Sequence, residues 1–168
     1  MPALQVLDLT ENEIADITQG LQKMSSLRKL VLTKNKLAAI DNFPRLPSLQ
    51  HVVLNENQLA DLKQLDNLKV NTTIKQLDMV ENPITTEKGD GFKLEVLIRL
   101  NETLSSLRRL NDEEVTDEDV TNAKTEKQAR KEAEEAARRE AEENARREAA
   151  EKAAAAEGGA GEPEVAAE

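Results

Sequence analysis

Cysteine, tryptophan and tyrosine are absent from this chain, and Phe43, Phe92 and His51 are its sole aromatic and imidazole side chains. Without cysteine there is no disulfide framework, no thiolate zinc ligand and no thiol nucleophile. A lone histidine leaves a His-ligated metal or a His-centred triad without partners, so His51 is expected to make a surface polar contact. Two phenylalanines give no platform for stacking bases. No run of about 18 apolar residues occurs, as a spanning helix would need, and the opening Met-Pro-Ala-Leu-Gln lacks a basic stretch followed by an apolar one. These absences point to a soluble, cytoplasmic protein with no catalytic residue, no metal and no cofactor, that is, not an enzyme.

Charge is unevenly placed along the 168 residues. Residues 1–110 hold 14 Lys and Arg against 14 Asp and Glu, whereas 111–168 hold 9 against 19, so the whole formal charge of −10 lies in the C-terminal third. The neutral part has no basic patch able to neutralise phosphates and the acidic part repels them, which argues against nucleic acid as a partner. The acids Asp112, Glu113, Glu114, Asp117, Glu118 and Asp119 lack the spacing of a calcium loop, and Thr116-Asp117-Glu118-Asp119 fits a helix N-terminus better. Gly89-Asp90-Gly91 has neither the following Gly-Lys-Ser/Thr nor the dinucleotide spacing, and reads as a turn.

What the chain does contain is a repeat. Segments 4–17, 27–40, 49–62 and 74–84 share the pattern L-x-x-L-x-L-x-x-N-x-L/I, with asparagines at Asn12, Asn35, Asn57 and Asn82. Alternation in a strand sends Leu7/Leu9, Leu30/Leu32, Val52/Leu54 and Leu77/Met79 to one face, and a single repeat cannot bury that face alone, so stability must come from stacking. Return segments carrying Leu21/Met24, Phe43/Leu46 and Leu65/Leu68 are expected to close the opposite side. The outward positions form three columns. They are Val6, Lys29, His51 and Gln76; Asp8, Val31, Val53 and Asp78; and Thr10, Thr33, Asn55 and Val80. Valines where a solvated face would be polar make Lys29, Val31, Thr33, His51, Val53, Asn55, Gln76, Asp78 and Val80 the candidate partner-binding residues.

This pattern resembles the leucine-rich-repeat family, in its short intracellular subclass of 22-residue, phosphatase-regulator-like repeats. The resemblance implies an α/β solenoid, a short horseshoe with a parallel concave sheet, in which Asn12, Asn35, Asn57 and Asn82 form a structural ladder. It also implies a C-terminal cap, whose places are filled by Phe92-Lys93, Leu97, Leu107 and Leu110. Asn101–Thr103 departs from the family, which has proline there, and a slightly longer helix is expected. The implied organisation is a repeat domain over 1–112, with repeats at about 4–26, 27–48, 49–73 and 74–86 and a cap over 87–112. The first strand follows Met1-Pro2-Ala3 directly, and its edge is expected to be covered by a partner.

After the cap come near-repeats of Ala, Glu, Arg and Lys. A charged single helix is expected over about 121–156 within a 113–157 extension, carrying Glu/Arg pairs at i,i+4 such as Glu134/Arg138, and 158–168 is expected to be disordered. Alanines at every fourth residue from Ala133 drift about 40° around the axis per step, so no homodimeric coiled coil is expected and the helix reads as a strut or as a rod laid along a partner. The order of repeats, cap and charged helix is similar in layout to the ciliary radial-spoke leucine-rich-repeat proteins. That likeness implies a non-enzymatic scaffold, a structural adaptor in an axonemal assembly of the cilium or flagellum. The alternative is a regulatory subunit of phosphatase-regulator or dynein-light-chain type.

Overall fold

The computed structural model describes residues 3–17, 20–41, 43–100 and 102–157. The expected disordered segment 158–168 lies outside them.

Each repeat contributes one strand of three residues: β1 Val6–Asp8, β2 Lys29–Val31, β3 His51–Val53 and β4 Gln76–Asp78. Two shorter strands follow, β5 Arg109–Leu110 and β6 Glu113–Glu114, and the sheet order is that of the chain. Neighbours from β1 to β5 pair in parallel, with Leu7, Leu30, Val52, Leu77 and Leu110 aligned in one row. That row and the one two residues on fill the interior. Leu30, Leu32, Val52, Leu54 and Leu77 are fully buried, while Leu7 and Leu9 are only partly covered. Each fully buried leucine contributes about 1.5–3 kcal/mol.

Strands this short cannot hold a sheet by their ladder bonds alone, and the buried asparagines supply what is missing. The Asn57 amide donates to the carbonyls of Leu54 and Asn55 in its own turn and to Leu32 of the preceding turn, at 2.8–3.0 Å. Its Oδ1 accepts the Leu37 N–H at 3.1 Å. Asn35 repeats this with Leu9, Leu32, Thr33 and the Ile14 N–H, and Asn82 with Leu54, Met79, Val80 and the Leu59 N–H. Asn111 contributes half a rung, accepting the Met79 N–H at 2.7 Å. Asn12 is exposed and donates within its own turn. The residue before each asparagine is left-handed, with φ of 56°, 55°, 52° and 58° at Glu11, Lys34, Glu56 and Glu81. The chain turns there out of the strand so that the asparagine points inward.

A fourth buried asparagine, Asn71, serves the return side, accepting the Leu46 N–H at 2.6 Å and donating to the Pro44 carbonyl at 3.0 Å. It follows a 3₁₀ helix, Leu62–Val70, that buries Leu65 and Leu68. Two helices close the stack: α1 Pro83–Lys88 and α2 Phe92–Leu100. Phe92, Val96, Leu97 and Leu100 are buried with Leu104, Leu107 and Leu110, and Arg99 reaches Asp66 of the 3₁₀ helix at 2.6 Å. The longer helix expected at 101–103 does not form in the described part. Thr103 donates to the Leu100 carbonyl and the chain turns.

The start of the charged extension is corrected. Residues 113–116 are not helical, because Asn111 and Asp112 (φ 49° and 64°) make a two-residue hairpin that folds β6 back antiparallel on β5. Val115 is then buried, and α3 runs over Asp117–Glu157, starting earlier than Thr121. Thr116 caps it. Its hydroxyl accepts the Asp119 N–H at 3.2 Å, while Asp119 Oδ2 accepts the Thr116 N–H at 2.9 Å. Lys93 of α2 pairs with the same carboxylate at 2.8 Å and donates to the Glu114 carbonyl at 2.7 Å. One compact unit accordingly spans Met1–Glu126, and a second begins at Lys127. In the second unit Arg138 pairs with Glu142 at 3.0 Å.

Two outcomes follow. Asn57→Leu is expected to cost about 2–4 kcal/mol, because it strands a buried N–H and buried carbonyls, whereas exposed Asn12→Leu costs under about 1 kcal/mol; urea unfolding of the two variants measures the difference. The Asp119 carboxyl is held at about 2, below its usual 3.8, first by the Lys93 hydrogen bond and then by the Thr116 N–H. A depressed folded value means stability that is fully present above pH 3.8 and is lost as the pH falls through about 2. Asp119→Asn should flatten that acid limb and cost about 1 kcal/mol at neutral pH, as read by unfolding at stepped pH.

Candidate protein-binding face

The side chains that alternate with the buried row stand on the concave face of the sheet, and register fixes their neighbours. The strand-entry column is Val6, Lys29, His51, Gln76 and Arg109, and the next is Asp8, Val31, Val53 and Asp78. The third continues through backbone bonds from Glu11 N–H to Thr33, Lys34 N–H to Asn55 and Glu56 N–H to Val80. Of the nine candidate residues, Val80 is exposed and Lys29, Val31, Thr33, His51, Asn55 and Gln76 are half-buried. Val53 and Asp78 depart from the sequence reading: at 8% and 6% exposure they are largely covered and offer a partner little surface.

A polar link ties the middle of the face together. His51 Nε2 donates to Asp78 Oδ2 at 2.7 Å, joining β3 to β4, and Gln76 Nε2 donates to the same oxygen at 3.0 Å. His51 is thus the partner of a buried carboxylate, which would be costly to bury unpaired, and not simply a surface contact. Neither residue type nor spacing announces this pair, since Asp78 lies 27 residues further on and meets His51 through register alone. Nearby, Asn55 Oδ1 accepts the Val80 N–H at 2.9 Å, fixing the exit of β4.

Electrostatics vary along the columns. Thr10 donates through hydroxyl and amide to Asp8 and holds its carboxyl below the usual range. At the strand exits Lys34 pairs with Glu11 at 2.9 Å. That hydrogen bond and its charge, then Glu56 and Glu81, hold the Lys34 ammonium above its usual value. Among the described residues no three His, Asp or Glu side chains gather as metal ligands, and no helix is long and apolar enough to cross a membrane. The arrangement can present valines, hydroxyls and fixed charges to another surface.

His51→Ala is expected to cost about 1–3 kcal/mol, because Asp78 stays buried with one donor fewer, while adding Asp78→Val recovers most of the loss by removing both partners. Thermal unfolding of the single and double variants measures this.

Residues 2–59 match the family described as Leucine rich repeat. The chain is similar to leucine-rich repeat-containing protein 23 of Xenopus tropicalis, 32% identical over 115 residues that cover 68% of this chain and 31% of that protein. The protein of the same name from Bos taurus is 30% identical over 118 residues, covering 70% and 32%. This chain thus spans about a third of the length of these curated relatives. Among solved structures, a chain of the Drosophila melanogaster SNF/U2A′ complex superposes with a TM-score of 0.63 at 21% identity, covering 72% of this chain and 67% of that one. Register, repeat spacing and these likenesses agree that the chain folds as a leucine-rich-repeat solenoid with a parallel sheet and a C-terminal helix.

Proposed function

We propose that this chain is a non-enzymatic protein-protein interaction scaffold, a structural adaptor subunit of a ciliary or flagellar axonemal complex such as the radial spoke. The observation that carries the scaffold reading is the concave face. Exposed Val80 and half-buried Val31, Thr33 and Asn55 stand in register on strands β2 to β4, which are paired on both sides, so the face offers side-chain chemistry on a rigid frame. The axonemal assignment is supported by layout: repeats, a cap built on Phe92, Leu97, Leu107 and Leu110, then the charged α-helix Asp117–Glu157, whose part from Lys127 on we read as a strut. Similarity to leucine-rich repeat-containing protein 23 over 115 residues supports a member of the same broad class.

The test is recovery of the tagged chain from its own cells at mild salt, beside a Val31→Glu/Val80→Glu variant. Charges placed at accessible positions of a binding face should weaken capture of its partner by about tenfold or more, while circular dichroism stays that of the wild type. Axonemal subunits held in fixed ratio and lost in the variant are the expected result. A phosphatase catalytic subunit in their place would overturn the structural adaptor in favour of a regulatory subunit, and capture indifferent to the variant would remove the concave face from the function.

A further inference from the structure

The sheet is polarised across its width. At the strand entries stand Arg28, Lys29, Lys75, Arg108 and Arg109 with no acid among the parallel rungs, the columns being joined by bonds to the carbonyls of Gln5, Arg28, Gln50 and Lys75. At the exits stand Glu11, Glu56, Glu81 and Asp112, all left-handed, with Lys34 engaged by Glu11 at 2.9 Å. Only at the antiparallel end does the pattern relax, where Glu114 of β6 lies opposite Arg109, which also reaches the Asp112 carbonyl at 3.0 Å. Between the margins lie Asp8, Val31, Thr33, Asn55 and Val80, with Val53 largely covered among them.

Dimensions decide what could use both margins. From Lys29 to Lys34 is five residues, about 16 Å of strand, well over the Debye length of about 8 Å at physiological salt. The two margins therefore act on a partner separately instead of cancelling. An extended segment laid along the row of strands sends its side chains to two opposite faces only, so it cannot meet the valines and both margins at once. An α-helix presents an apolar stripe with a flank on either side, and long charged side chains carry those flanks out from its body of about 10–12 Å toward both margins. Its length is set by the four spacings from β1 to β5, about 19 Å, or roughly 13 residues. Resting on the concave-face reading above, the geometry points to one occupant: an amphipathic helix of about four turns from another protein, its apolar stripe on the valines, an acidic flank toward Arg28, Lys29 and Lys75 and a basic flank toward Glu56 and Glu81. Opposite charges on its flanks fix which way the helix runs, because turning it end for end brings like charges together. A second copy of this chain is a poor occupant, since the alanines of α3 recur every fourth residue and hold no stripe between flanks of opposite sign.

The test uses the full chain and fluorescence anisotropy at about 0.15 M salt with three stapled helical peptides of about 14 residues. All share one leucine stripe; their flanks carry Glu and Lys, Glu on both sides, or Lys on both sides. The mixed peptide is expected to bind about tenfold tighter than either other. Arg28→Glu/Lys75→Glu should erase that preference and raise the affinity of the Lys peptide. If all three bind equally and all are lost in Val31→Glu/Val80→Glu, the polarity is overturned while the binding face stands. Binding indifferent to both variants overturns polarity and face together, and failure of any peptide to bind overturns the helical occupant. A dimer of the chain in sedimentation, displaced by the mixed peptide, would assign the face to a second copy and overturn it also.

Discussion

An asparagine amide buried between two turns of chain is the interaction on which the rest depends. Its NH₂ and carbonyl oxygen together satisfy main-chain groups of its own turn and of the turn before, as at Asn35, Asn57 and Asn82. A carboxylate could not donate, a leucine could do neither, and a glutamine would overreach. Three-residue strands supply too few ladder bonds to set their own spacing. The rungs at the bends set it, and the leucine rows are brought into line as a result. The left-handed Glu11, Lys34, Glu56 and Glu81 are the local cost of that arrangement, about 1 kcal/mol or more for each non-glycine residue.

Once the rungs fix register, they fix the concave chemistry too. A one-residue slip would bury Lys29 and expose Leu30, so the same force that packs the core decides that His51 meets Asp78, 27 residues away, and that Lys34 stands among Glu11, Glu56 and Glu81. The charged columns are therefore geometric facts of the solenoid, their backbone spacing fixed by register. A rigid array of this kind selects partners by matching charge to position more than by area alone.

Repetition made most of the fold legible. An L-x-L strand, an asparagine at a constant offset and a return of 22 or 23 residues recur often enough that one reading serves several turns, and parallel pairing follows from the stacking. What occurs once was harder. Asn71 bonds the return segments, yet no repeating neighbour marks it. The covering of Val53 and Asp78 depends on how neighbouring rungs close over them, which strand alternation does not encode. The hairpin at Asn111-Asp112 was legible in principle, since adjacent Asn and Asp tolerate positive φ, but its flanks are charged and resemble the helix that follows.

That last confusion shows why the compact unit extends past the cap. A stack of leucine rows ends in an apolar surface, and α2 covers part of it while leaving Leu94 and Ile98 half-exposed beside the core. Val115, Val120 and Ala123, three small apolar residues scattered through an acidic stretch, pack against the same core. Averaged over the segment, their contribution to composition disappears beneath the charge. Their burial nonetheless requires the chain to reverse at β6 and α3 to begin by Asp117, and Lys93 holds that reversal by binding the Glu114 carbonyl and the Asp119 carboxylate together. The first turns of the charged helix therefore belong, energetically, to the repeat domain, and its solvated character begins only where the last apolar contact ends, close to the boundary at Lys127.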